Sequence, residues 1–125
     1  MKVLDTSFIA SLYLLQDSNH AKAKQQMKLD EETPLILTEH ILHETLTILS
    51  CRQDIALAKQ AYQELTLSKN VQIYHFTTQE TQEILDLFFA LGRKMSVPDV
   101  GVIYLSRRLK TEALTFDEKI INQIR

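Results

Sequence analysis

The stretch Lys2-Val3-Leu4-Asp5-Thr6-Ser7-Phe8-Ile9-Ala10 decides the fold. Lys2 to Leu4 reads as a short strand ending at Asp5. Thr6 or Ser7 can then cap a helix running to about Leu15. A strand that passes almost directly into a helix opens a βα unit, and the rest of the chain repeats that grammar. Ser18 and Asn19 open a second helix through about Leu29, which Asp30 to Pro34 breaks. Leu35 to Leu37 is a short buried strand, and Thr38 caps a helix to about Leu49. Asp54 caps the next, to about Leu67, and Val71 to Phe76 reads as a third strand. Thr77 and Glu80 form a capping box for a helix reaching Leu91, which Gly92 ends. Ser96-Val97-Pro98-Asp99 opens a helix to about Arg108. Ala113 to Phe116 is a fourth strand, and Asp117 caps a last short helix.

Short apolar strands alternating with helices predict an α/β fold. The expectation is a three-layer α/β/α sandwich around a four- to five-stranded, mainly parallel sheet. The strands are too few for a β/α barrel. The 125 residues, 45% hydrophobic, suit one domain over residues 1–125 with one core. No Pro/Gly-rich linker divides the chain, and 2 Gly and 2 Pro argue against long irregular loops and a turn-rich β-barrel. A net charge of −2 excludes a bulk polycation for nucleic acid. It does not exclude a nucleic-acid enzyme, whose acidic site offsets basic residues elsewhere. Cys51 is the only cysteine, so no internal disulfide is possible, which suits a reducing cytoplasm. The start of the chain shows no signal-peptide pattern, and Phe8 to Leu15 is far shorter than a membrane span. A soluble, cytoplasmic protein is therefore expected.

Ligands of open parallel sheets bind at the carboxyl ends of the strands. Asp5 ends the first strand and Asp117 follows the fourth. If those strands are neighbours, the two carboxylates share one edge. Glu44 shares a helical stripe with Ile41 and Ile48, and an acid on a core-facing seam is costly unless a cation or several donors meet it. Asp99 sits in the first turn of an otherwise apolar helix, beside the mouth of the crevice. Several carboxylates in one confined site need a counter-charge, and a hard divalent cation such as Mg²⁺ supplies it. The chemistry that follows is phosphodiester hydrolysis. Each acid alone has a plainer reading. Asp5 and Asp117 also read as helix caps, with Thr6 and Ser7 competing for Asp5's place. Asp99 with Ser96 fits a Ser-x-x-Asp capping pattern, and Glu44 could pair with an Arg or His. The four together carry more than any one.

In order, Val3-Leu4-Asp5-Thr6-Ser7, His43-Glu44-Thr45-Leu46, Met95-Ser96-Val97-Pro98-Asp99 and Ala113-Leu114-Thr115-Phe116-Asp117 resemble the PIN-domain nucleases. The match is to the VapC-like toxin ribonucleases of toxin–antitoxin pairs and covers essentially the whole chain. The resemblance implies that Asp5, Glu44, Asp99 and Asp117 form the metal-binding, catalytic quartet for Mg²⁺ or Mn²⁺. It implies that Thr6 or Ser7, and Thr115, are hydroxyls that orient a carboxylate or a water. It implies a metal-dependent endoribonuclease acting on RNA, a homodimer, and a small antitoxin protein as silencing partner. Many members carry a further short strand after the last helix, whereas this sequence stops eight residues past Asp117, so a fifth strand is left open. Leu12 to Leu15 and Leu87 to Phe89 carry more apolar side chains than one core face needs, which fits a dimer or a two-sided core.

Other features read as structural. Arg93-Lys94 and Arg107-Arg108-Lys110 follow helix ends, where cations favour the dipole, although some could line an RNA track. His40 and His43 lack a third metal ligand at a suitable spacing. Two other functions fit the same elements. One is a PIN-like dimer that binds RNA or protein without cutting. The other is a receiver-type signalling domain, which needs a phosphorylatable Asp after its third strand, where this chain has Thr77 and Thr78.

Overall fold

The computed structural model describes residues 1–125. The elements, in chain order, are β1 (Lys2–Leu4), α1 (Thr6–Tyr13), α2 (His20–Leu29), β2 (Leu35–Thr38), α3 (Glu39–Arg52) and α4 (Ile55–Leu67). They continue with β3 (Val71–Tyr74), α5 (Thr78–Leu91), α6 (Val97–Leu109), β4 (Ala113–Leu114) and α7 (Glu118–Ile124). No helix is long and apolar enough to cross a membrane.

The four strands form one sheet in the order β3-β2-β1-β4, and every pairing is parallel. The chain steps from β1 to β2 to β3 in one direction and returns from β3 to β4 in the other. Right-handed crossovers then place the intervening helices on opposite faces. Burial agrees, because all four residues of β2 are buried, on both faces of the strand. The core joins Val3, Leu4, Leu35 and Leu37 of the sheet to Phe8 and Ile9 of α1, Ile41 of α3, and Val102, Ile103 and Leu105 of α6.

The local signals act as their chemistry requires. Thr77 and Glu80 make both bonds of a capping box, and Gly92 closes α5 at φ 56°, where a side chain would be strained. The differences from expectation are instructive. Asp5, not Thr6 or Ser7, caps α1, because its carboxylate accepts from the Ser7 amide. That helix ends at Tyr13 rather than Leu15. The third strand stops at Tyr74 rather than Phe76. The fourth ends at Leu114 rather than Phe116, because side chains take over the ladder there. Thr115 Oγ1 donates to Asp5, and the Phe116 amide donates to Ser7 Oγ at 2.9 Å. No fifth strand is present. Of the two apolar runs, Leu14 is buried, while Leu15 and Phe89 are each 74% exposed.

Candidate active site

Strand order reverses between β1 and β4, since the chain leaves β1 toward β2 on one side and reaches β4 on the other. Such a reversal opens a crevice at the carboxyl ends of the strands. Here the two ends touch: the Asp5 amide donates to the Leu114 carbonyl at 3.1 Å. A cleft of about 540 Å³ lies above them, and Asp5, Glu44, Asp99 and Asp117 all line it.

Asp5 is 2% exposed. Its Oδ2 accepts from Thr115 Oγ1 at 2.7 Å, Ser7 Oγ at 2.8 Å and the Ser7 amide at 3.3 Å. Its Oδ1 is buried and has no donor. The two hydroxyls, at 3.2 Å from each other, tie the start of α1 to the end of β4 across 108 residues of chain. Thr6 also lines the cleft, but its buried hydroxyl has no partner and does not reach Asp5. Asp99 closes a capping box with Ser96: the Ser96 amide donates to Oδ2 at 3.2 Å. Asp117 caps α7 through Oδ1, which accepts from the Lys119 amide at 2.9 Å. The capping readings of these three acids are therefore correct, yet each cap occupies one oxygen. The second oxygen of each accepts no hydrogen bond from the protein.

Glu44 arrives from α3. The fully buried residues of that helix are Ile41, Leu42, Thr45 and Leu49, so Glu44 stands on the margin of the seam, half-buried, rather than in its centre. Its Oε2 receives the Ser96 hydroxyl at 3.5 Å, which links it to the Asp99 turn.

Burial pushes the Asp5 carboxyl above its ordinary range; bonds from Thr115 and Ser7 pull it back, and the charge of Asp99 lifts it further. Burial also raises Asp99, against the bonds from Ser96, and Asp117 adds to the rise. Three carboxylates therefore feel one another. The donor set is all oxygen, as a hard divalent cation requires, and the orphaned Asp5 Oδ1 is an acceptor that such an ion would satisfy. As placed, no three Asp, Glu, His or Cys side chains are grouped to hold one ion. That spacing still suits Mg²⁺, which one or two carboxylates commonly hold together with water and substrate phosphate.

Sequence reasoning missed further residues of the cleft. Asp17, Glu118 and Arg52 line it too. Asp17 lies in the turn after α1, where it accepts from Ser11 Oγ at 3.0 Å and the Asn19 amide at 2.8 Å. Its position depends on a turn that no helical or strand period reveals. A larger hollow of about 840 Å³ lies between α5 and α6, away from these acids. Its charged groups are mutually satisfied: Arg108 pairs with Glu80 at 2.7 Å, Tyr74 donates to Glu80, and Tyr104 donates to Glu83. It offers no free reactive group. His40 lies tilted against Phe76, with ring centres 5.6 Å apart, and Cys51 is exposed with no partner.

A strand order of β3-β2-β1-β4 is not the 2-1-3-4-5 of receiver-type domains, which removes that alternative. No curated protein matches the sequence. Among solved structures, the crystal structure of Mycobacterium tuberculosis VapC20, described as a Sarcin-Ricin loop cleaving toxin, superposes with a TM-score of 0.88 at 24% identity, covering 98% of this chain and 94% of that one. A family model described as PIN domain matches residues 2–124. The chain, whose acids gather at the β1–β4 crevice of a parallel sheet, belongs to the PIN domain family.

Proposed function

We propose that this protein is a metal-dependent endoribonuclease, the toxin of a toxin–antitoxin pair. The observation that carries the reading is the Asp5 carboxylate. It is buried in the crevice, held by Ser7 and Thr115 through one oxygen, and left without a donor on the other. A fold gains nothing from such a group unless something from solution meets it.

The chain's own residues supply the arrangement. Ser7 and Thr115 fix the Asp5 side chain, so its free oxygen needs no reorganisation when charge develops near it. The Ser96 hydroxyl and amide set Asp99, and the Lys119 amide sets Asp117. Glu44 closes the α3 side. Asp5, Glu44, Asp99 and Asp117 are the residues that would hold Mg²⁺ or Mn²⁺. When bound, the ion supplies acidification of a water nucleophile and neutralisation of the phosphate's growing charge. RNA as substrate and an antitoxin as partner are supported by the likeness to a Sarcin-Ricin loop cleaving toxin. A homodimer is supported by the exposed Leu15 and Phe89. The reading places the protein in the cytoplasm, as a single-domain enzyme.

The test is RNA hydrolysis by purified protein with and without Mg²⁺ or Mn²⁺. It is paired with melting curves. An ion that binds only the folded state stabilises it by about 2.7 kcal/mol at a hundred times its Kd. For a domain of this size that is on the order of 10 °C in Tm. Saturating Mn²⁺ should raise the melting temperature of the wild-type chain and leave Asp5→Asn unmoved. Equal shifts in both would place the ion elsewhere.

The lack of a three-carboxylate grouping favours a second reading: a non-catalytic PIN-domain module that binds RNA or protein. Metal-supported RNA cleavage that Asp5→Asn removes would exclude it.

A further inference from the structure

Helix α3 brings more than Glu44 to the cleft. Glu44, Ile48 and Arg52 follow at four-residue intervals, so they stand on one stripe, and all three line the cleft. At a rise of about 1.5 Å per residue, Arg52 stands about 12 Å along that wall from Glu44. It is the only cation among the lining residues, against six carboxylates: Asp5, Asp17, Glu44, Asp99, Asp117 and Glu118. Yet its exposed guanidinium pairs with none of them. The ion pairs of the chain use Lys2, His75 and Arg108 instead. Arg107 and Arg108, in the last turn of α6, are committed, to Gln123 and to Glu80 and Tyr104, while Arg93 and Arg125, also unpaired, lie outside the cleft. Lys119, following the Asp117 cap, donates to the Lys94 carbonyl at 3.4 Å. The macrodipole explains a cation in the last turn of α3. It does not explain why that cation faces an acidic cleft and keeps its donors free.

We infer that Arg52 is a positioning residue for the RNA strand, its guanidinium gripping a phosphate that flanks the scissile one. A planar fork of N–H donors matches a phosphate two oxygens at a time, and Arg52 has that fork uncommitted. Its distance from Glu44 sets it at a neighbouring phosphate, while the acid end of the cleft takes the bond to be cut. Six carboxylates repel a polyanion, so a cation at the far end of the wall gives the strand an attractive contact that the acid end lacks. This inference rests on the ribonuclease reading.

The test compares full-length chains that carry Asp99→Asn to prevent cleavage, with and without Arg52→Gln. Binding of a fluorescein-labelled single-stranded RNA is followed by anisotropy over a range of salt concentrations. Arg52→Gln is expected to weaken binding by about tenfold or more, as fits the removal of one charge-assisted hydrogen bond. It should also flatten the plot of log affinity against log salt by about 0.7, because one phosphate fewer is neutralised along a single strand. Arg52→Lys should keep the slope and recover part of the affinity. In the cleaving chain the loss from Arg52→Gln should fall on KM rather than kcat. A purely structural Arg52 would lower the melting temperature and leave the salt slope unchanged. Unaltered affinity and slope in Arg52→Gln, with the wild type cutting RNA, would overturn the inference alone. A wild type that neither binds nor cuts RNA would overturn the ribonuclease reading, and the role of Arg52 with it.

Discussion

Asp5→Asn and Asp99→Asn are each expected to lower RNA cleavage by at least about a hundredfold while the protein stays folded. Removing one preorganised charge-stabilising group from an active site costs about that much. Asparagine keeps an oxygen for the bonds from Ser7 and Thr115 at position 5, and for the Ser96 amide at position 99. What it loses is the charge. Both carboxyls sit above their ordinary range chiefly because of burial, so the folded state does not depend on that charge. The melting temperature should therefore hold or rise. The check is a cleavage time course beside a thermal melt for each variant. Wild-type rates in Asp5→Asn, with contaminating nuclease excluded, would defeat the assignment of the cleft. A collapsed fold would instead show that the carboxylate is structural.

The largest expected effect on stability lies at the opposite end of the sheet. Asp30 is 4% exposed and receives Gln26 at 2.7 Å, Thr33 at 3.0 Å and the Lys2 ammonium at 3.1 Å. Asp30→Ala leaves Gln26 and Thr33 without their acceptor and Lys2 with one acceptor fewer. Lys2 keeps water and Glu112, so the cost is less than that of a fully buried pair: about 2–3 kcal/mol, or on the order of 10 °C in Tm. Burial pushes the Asp30 carboxyl up, but the bonds from Gln26, Lys2 and Thr33 outweigh it and hold it below the ordinary 3.8. A depressed carboxyl stabilises the fold above its unfolded pKa, and the gain fades as pH falls through the folded value. The gap between wild type and Asp30→Ala in urea melts should therefore be full at pH 7 and narrow below about pH 4. A gap independent of pH would mean that packing, not the ion pair, accounts for it.

Much of this fold can be read from local chemistry. Thr77-x-x-Glu80, Gly92, Asp54 and Ser96 each mark a helix boundary because their side chains or φ preferences act on residues two to four away. Strand ends are harder to place. Thr115 and Phe116 carry an apolar, β-branched signal, yet they leave the ladder because Asp5 and Ser7, more than a hundred residues earlier, claim their hydrogen bonds. The four acids are legible because each breaks a local expectation or sits at a strand end. Asp17 and Arg52 are not, since an acid in a turn and an Arg at the end of a helix look ordinary in one dimension. The Asp30 clamp is hidden for the same reason: Lys2 and Asp30 meet only across the folded sheet.

The strand that brings Thr115 and Asp117 to the crevice is two residues long and lies at the sheet's outer margin, paired with β1 alone. Only this one pairing holds the strand in the sheet, with Leu114 and Ile120 of α7 anchoring it in the core. The same margin ties the crevice together: it gives Asp5 the Thr115 hydroxyl, gives Ser7 the Phe116 amide, and leads directly into Asp117 and its helix. The geometry of the whole acidic crevice therefore hangs on a two-residue ladder, so a substitution that unpairs β4 should scatter the carboxylates while leaving most of the helical structure in place.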